Sequence, residues 1–155
     1  MQETPILNAH NKQEYPPMHT VEHILNQTMV RMFGCPRSKN THIERKKSKC
    51  DYLLSACPTP EQIATIEQQV NDVIAASMPV KVDFVPREEA ARLVDMTKLP
   101  SDVSDTIRLV FIGDYDICAC VGAHVENTNE IQGRFTITTH DFTGGIWRVR
   151  FKLVE

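Results

Sequence analysis

The chain has 155 residues, of which 41% are hydrophobic and 24% charged, and its formal net charge is −3. That length holds one full hydrophobic core, and the balance is that of a soluble globular protein. The negative net charge excludes a chain that binds nucleic acid through bulk charge alone, and no apolar run approaches the roughly 20 residues that span a bilayer.

Residues 1–16 show no clear period and read as an irregular arm, leaving 17–155 as one domain. The start lacks a basic segment followed by an apolar block, so no secretory leader is expected. From Pro17 onward, Val21, Ile24, Leu25, Thr28, Met29, Met32 and Phe33 recur at helical spacing. They predict a helix over 17–33, stopped by Gly34 and Pro36. "NTHIE" and "CDYLLS" predict two strands joined by the charged turn "RKKSK". "CPTPEQIATIEQQVNDVIAASMP" predicts a second helix, with Thr59 and Gln62 as a capping pair, Pro60 at its first position and Pro79 at its end. "VKVDFV" alternates as a strand, and "PREEAARLV" opens with proline and acids as a short helix. "TIRLVFIG" predicts a central strand with "YDICACV" directly after it. The tail, "GRFTITTHDFTGGIWRVRFKLV", predicts a hairpin through "TGG". Mixed elements closed by a hairpin predict an α+β fold: a mainly antiparallel sheet packed with two longer helices and one short one.

Several residues carry chemistry. The five cysteines (Cys35, Cys50, Cys57, Cys118 and Cys120) are scattered. Without a leader they imply a reducing cytosol, and thiols or metal ligands before disulfides. His19 and His23 in "MHTVEHI" lie four apart, one turn along a helix face, which suits two imidazoles on one ion. A zinc protease would need glutamate after the first histidine, but Thr20 stands there, so that activity is rejected. "CVGAH" offers Cys120 and His124, and imidazole with thiolate suits zinc. Cys118, two residues before Cys120 and on the same strand face, reads as a small buried hydrophobe. His10, His42 and His140 read as loop or strand-face residues, and Asp114, Asp116 and Glu126 as solvated turn acids. The stretch from Arg37 to Lys49 holds Arg37, Lys39, Arg45, Lys46, Lys47 and Lys49 against Glu44 alone, either a solvated hairpin tip or a phosphate-contacting edge.

The order "HTVEHIL", "PREEA", "RLVFIGDYDICACVGAHVENTNEI" and a closing hairpin resembles the editing domain of alanyl- and threonyl-tRNA synthetases, their second additional domain. That domain also occurs free-standing as the AlaX proteins, and the length and order here resemble the short free-standing form. The resemblance covers roughly residues 17–154 and selects Cys120 over Cys118. It implies a zinc site of His19, His23, Cys120 and His124. The implied reaction is hydrolysis of a mischarged aminoacyl-tRNA in the cytoplasm, most readily serine carried by an alanine tRNA. Thr20, Asn127 and Thr128 would touch the substrate, and the cations from Arg37 to Lys49 would touch the tRNA backbone. Ala123 departs from the threonine or proline that many relatives carry there. Two alternatives stand beside this reading: a zinc-stabilised tRNA-binding module without hydrolytic activity, and a threonyl-type editor without metal.

Overall fold

A computed structural model of the chain describes residues 15–94 and 105–155. Residues 1–14 of the expected arm, with His10, lie outside the described residues. The first helix, α1 (Pro16–Phe33), starts on two prolines, whose missing N–H groups would find no partner in a first turn. It ends where Gly34 turns left-handed at φ 66° and returns its N–H to the Val30 carbonyl.

The apolar stripe of α1 predicts one buried face. The structure buries far more of the helix. Met18, Val21, Ile24, Leu25 and Met29 are covered, and so are Thr20, His23, Asn26 and Thr28. The reason is that α1 packs at once against the second helix, α2 (Pro60–Ala75), and against strands of two different sheets. Two of its inner polar side chains tie it to the elements around it. Asn26 Oδ1 accepts from Tyr52 Oη at 2.6 Å and from the Ser38 N–H at 3.2 Å. Thr28 Oγ1 donates to the Ile24 carbonyl and lies 2.7 Å from Tyr115 Oη.

One sheet has four antiparallel strands: β1 (Asn40–Ile43), β2 (Ser48–Leu53), β6 (Arg134–Thr143) and β7 (Ile146–Val154), in the order β1-β2-β7-β6. The other has three: β3 (Val80–Pro86), β4 (Thr106–Ile112) and β5 (Asp116–Ala119), with β4 central as its apolar run predicts. The antiparallel α+β expectation is met, but as two sheets. A 16-residue α2 carries the full Thr59–Gln62 capping box, and the short helix is α3 (Arg87–Leu93). Gly144 and Gly145 take φ 59° and 82° at the hairpin tip, as a two-residue turn with both φ positive requires.

Period-two alternation sorts the four-stranded sheet into two faces. Cys50, Tyr52, Trp147, Val149 and Phe151 point into the main core. In the smaller sheet, Val85, Ile107 and Leu109 pack on Ala90 of α3. By the same alternation Asp116, Cys118 and Arg108 belong to the opposite face, the one toward α1.

Two expected substrate residues prove to be part of the frame. Thr128, 0% exposed, opens a 3-10 turn (Thr128–Glu130). Its hydroxyl accepts from the Met78 N–H at 2.9 Å and lies 3.1 Å from the Ile74 carbonyl at the end of α2. Asn127 caps the same turn through the Asn129 N–H and donates to the Ser77 carbonyl. Both side chains are therefore occupied in closing the fold. Thr128→Val is expected to strand the Met78 N–H and to destabilise the chain by about 1–3 kcal/mol, read from the urea midpoint.

Candidate metal centre

The four expected ligands converge. His19 and His23 stand one turn apart on α1, Cys120 follows the last residue of β5, and His124 closes the loop beyond it. Their ligand atoms all lie within 4.8 Å of one another. The His19 and His124 rings stack at 4.1 Å between centroids, and His23 meets them edge-on at 5.1 and 4.5 Å. Zinc–nitrogen and zinc–sulfur bonds of about 2.0–2.3 Å imply tetrahedron edges of about 3.3–3.6 Å. Cys120 Sγ is already 3.5 Å from His19 Nε2.

The outer contacts decide which ring nitrogen points inward. His19 Nδ1 lies 3.0 Å from the Ala123 carbonyl, which can only accept, so Nδ1 carries a proton and Nε2 is the nitrogen turned to Cys120. His124 Nδ1 lies 3.0 Å from Thr20 Oγ1. With the proton there, the buried His124 Nε2 is left as an acceptor with no hydrogen-bond partner. His23 Nδ1 sits 3.6 Å from Asp116 Oδ2, an electrostatic contact longer than a hydrogen bond. All three rings thus turn Nδ1 outward to an oxygen and Nε2 toward the cluster, the arrangement that orients metal-bound histidines. The orphaned His124 nitrogen and the donor set fit zinc.

Charge follows the same geometry. Burial opposes a charge on His23, but Asp116 and Cys120 outweigh it and raise the imidazole to about 10. Burial also opposes a thiolate at Cys120, yet the His124, His19 and His23 rings around its sulfur bring it down to about 3. Cys120 is therefore thiolate, the form that ligates metal. The Gly122 N–H points at the same sulfur from 3.4 Å. His124 is lowered by burial and by the charges of His23 and His19.

Asp116 was expected as a solvated turn acid. Instead it opens β5, is 1% exposed, and is the anchor of the centre. Arg37 grips it with both guanidinium nitrogens, at 2.7 and 3.1 Å, and Gln27 adds a hydrogen bond at 2.9 Å. Despite the cost of burial, His23 and Arg37 bring its carboxyl down to about 2. Arg37 is thus bound inside the fold and leaves the basic set. Lys39 faces a small cavity shared with Asp51, apart from Lys46, Lys47 and Lys49. Thr20 is 0% exposed. Its hydroxyl accepts from the Val125 N–H and lies 3.0 Å from His124 Nδ1, so it stands behind that candidate ligand.

Cys118 is half-buried beside the set, its thiol raised by burial, and is not one of the four clustered side chains. His42 pairs with Glu44, and His140 accepts from Trp147. Sequence reasoning missed Asp116 and Arg108. Asp116 had a signal, since it precedes Cys120 by four residues at the same strand parity. Arg108 had none. Its guanidinium donates to the Cys120 and Gly122 carbonyls at 2.6 and 3.0 Å, a contact made only by strand pairing.

This α+β domain thus gathers three histidines and a cysteine, from a buried helix and a strand end, into a group that could hold a metal ion. Residues 107–150, the segment containing Cys120 and His124, match the family model "Threonyl and Alanyl tRNA synthetase second additional domain". The chain is 32% identical to the alanine–tRNA ligase of Bacillus subtilis (strain 168) over 127 residues, 81% of this chain and 14% of that one. It is 27% identical to that of Treponema denticola over 144 residues, 92% of this chain and 24% of that one. For Methanococcus maripaludis (strain C6) the figures are 26% over 148 residues, 94% and 17%. The chain therefore spans between about one seventh and one quarter of these relatives. Over most of its length it is similar to part of the alanine–tRNA ligases, and over residues 107–150 to the second additional domain of threonyl- and alanyl-tRNA synthetases.

Asp116→Asn is expected to weaken zinc binding by about 10- to 100-fold in chelator competition. Arg37→Met, which strands a buried carboxylate, is expected to cost about 3–5 kcal/mol in urea denaturation.

Proposed function

We propose that this chain is a zinc-dependent, cytoplasmic aminoacyl-tRNA hydrolase that works in trans on mischarged tRNA, with serine on an alanine tRNA as its substrate. The observation that carries the reading is the His19–His23–Cys120–His124 cluster, in a chain similar to part of the alanine–tRNA ligases. The need for such an enzyme is physical. A pocket built for a small side chain cannot strongly reject a near-isostere that adds a hydroxyl, so a second site must remove the error.

When bound, zinc would polarise the ester carbonyl or a water. His19, His23, Cys120 and His124 would hold it. His23 is buried while the other three are half-buried, so the centre has one accessible flank. That flank is bordered by the Cys120–His124 loop, on which Val121 is 87% exposed. The 3′ end of the tRNA enters there. Arg108 fixes the carbonyls of Cys120 and Gly122, so the loop keeps its shape when substrate arrives. Asp116 and Thr20 hold His23 and His124 in orientation. Arg45, Lys46, Lys47 and Lys49 meet the tRNA backbone.

A second reading is supported by the ligand count. Four protein ligands fill a tetrahedron, which is the pattern of a structural zinc site. On that reading the chain binds tRNA without hydrolysing it.

The purified protein is expected to contain one zinc and to deacylate seryl-tRNA faster than alanyl-tRNA. His23→Ala and Cys120→Ala are expected to slow hydrolysis by about 100-fold or more. Seryl-tRNA that decays no faster than in buffer, with zinc bound, would replace the enzyme by the binding module. Full activity without metal would instead favour the threonyl-type reading.

A further inference from the structure

The outer face of the four-stranded sheet is the one the main core leaves uncovered. Its inward residues, Cys50 and Tyr52 of β2 and Trp147, Val149 and Phe151 of β7, are all buried, which turns Lys49, Arg150 and Lys152 outward. Lys49 pairs directly with Arg150 across the two strands. Arg150 and Lys152, two residues apart on β7, stand about 6.7 Å apart along the strand, comparable with the step between neighbouring phosphates of one nucleic-acid strand.

These side chains line a cavity of about 530 Å³ together with Lys46, Lys47, His42 and Thr138. Thr138 is placed there by a bulge. It is the extra residue where Ile137 faces Phe151 and Thr139 faces Arg150, and its hydroxyl donates to the Arg150 carbonyl. Bulges re-aim side chains in this way at sheet margins and beside functional sites. A second cavity, of about 340 Å³, shares Lys46 and Lys152 and adds Arg45 and Tyr15. Arg45 lies over the Tyr15 ring at 5.2 Å, and the Tyr15 carbonyl accepts the His19 N–H. The cationic face therefore runs up to the helical turn that carries the first metal ligand.

The counter-charges are few. Glu44 and Glu155 line the two cavities, Glu44 being paired with His42, and Asp141 meets Arg150 at an exposed 3.2 Å contact. Six cations on one face of a chain with net charge −3 is a marked local asymmetry. Farther along the same face, Arg148 is neutralised by a bidentate pair with Asp51, so the positive field is confined to the Arg150 end.

We propose that this face, centred on Arg150 and Lys152 with the β1–β2 turn as its rim, docks the phosphate backbone of an RNA stem. The inference rests on the reading above for the choice of RNA over other polyanions. It assigns a role to β7, a strand the sequence leaves unmarked, and separates recognition of the stem from the metal centre on the opposite side of the sheet. The contacts are to phosphates, so they are independent of base sequence and sensitive to salt.

The test is fluorescence anisotropy of an uncharged tRNA transcript with the full chain and its Arg150→Gln/Lys152→Gln double variant, between 50 and 200 mM salt, each a condition set by the salt range over which such contacts weaken. The double variant is expected to bind about 10-fold more weakly, with the slope of log affinity against log salt reduced by about 2. Circular dichroism and zinc content report whether the variant is folded. Lys39→Gln, outside the face, is expected to keep the wild-type slope. A folded double variant with the wild-type slope would overturn the proposal. Salt-steep binding whose slope falls by about 2 in the double variant, from a wild-type protein that hydrolyses nothing, would uphold the docking face and sink only the hydrolase reading.

Discussion

A buried carboxylate organises this molecule. Asp116 has no solvent to stabilise its charge, so the fold must supply partners, and it supplies three: the Arg37 fork, the Gln27 amide and the His23 ring. Those partners come from α1, from the segment after it, and across to the first residue of β5. Satisfying one charge therefore fixes how the helix sits on the small sheet. It also fixes the rotation of His23. With that ring set, Cys120 four residues along the chain is within reach of the same point, and the Arg108 guanidinium and the Ala123 carbonyl hold the rest of the loop against His19.

The central helix serves two ends with one surface. Met18, Val21, Ile24, Leu25 and Met29 bind it to the main core. Between them, Thr20 and His23 face the centre, and Asn26 and Thr28 anchor Tyr52 and Tyr115. A helix buried this fully tolerates polar residues only where each has a partner. Among the described residues two buried side-chain nitrogens lack a hydrogen-bond partner: His23 Nδ1, which has the Asp116 carboxylate 3.6 Å away, and His124 Nε2, which is informative because it lies inside the cluster. Leaving such a group bare is costly in a closed fold, and a metal ion removes that cost.

The two sheets divide the work. The small sheet carries Asp116 and Arg108, the supports of the candidate ligands, on the face toward α1, and leads from β5 into the loop of Cys120 and His124. The larger sheet carries the core on one face and a cationic field on the other. Both arrangements come from the two-residue period of a strand, which sends consecutive side chains to opposite environments. Residues 148 to 152 show it within one strand: arginine, valine, arginine, phenylalanine and lysine alternate between solvent and core.

Much of this was legible in the sequence. Helical spacing, the capping pair at Thr59 and Gln62, the glycine turn and the alternating strands are local signals, and local backbone physics carries them into the structure unchanged. The four candidate ligands were legible as two spaced pairs of the right chemistry, and their joining rested on resemblance. What the tertiary structure alone decided was partnership. Whether a charged residue is solvated or paired depends on what packs against it from elsewhere in the chain. No local pattern could say that Arg37 would turn inward to Asp116, that Thr20 and Thr128 would be sealed behind ligands and helix ends, or that Arg108 would hold the Cys120 loop. Nor could it say that Arg150 and Lys152 would join a basic turn a hundred residues away. The sequence by itself determined the elements and the donor chemistry, because these depend on neighbours a few residues apart. The third dimension decided which charges are spent inside the fold and which remain for a partner, because desolvation is set by contacts that only the folded chain makes.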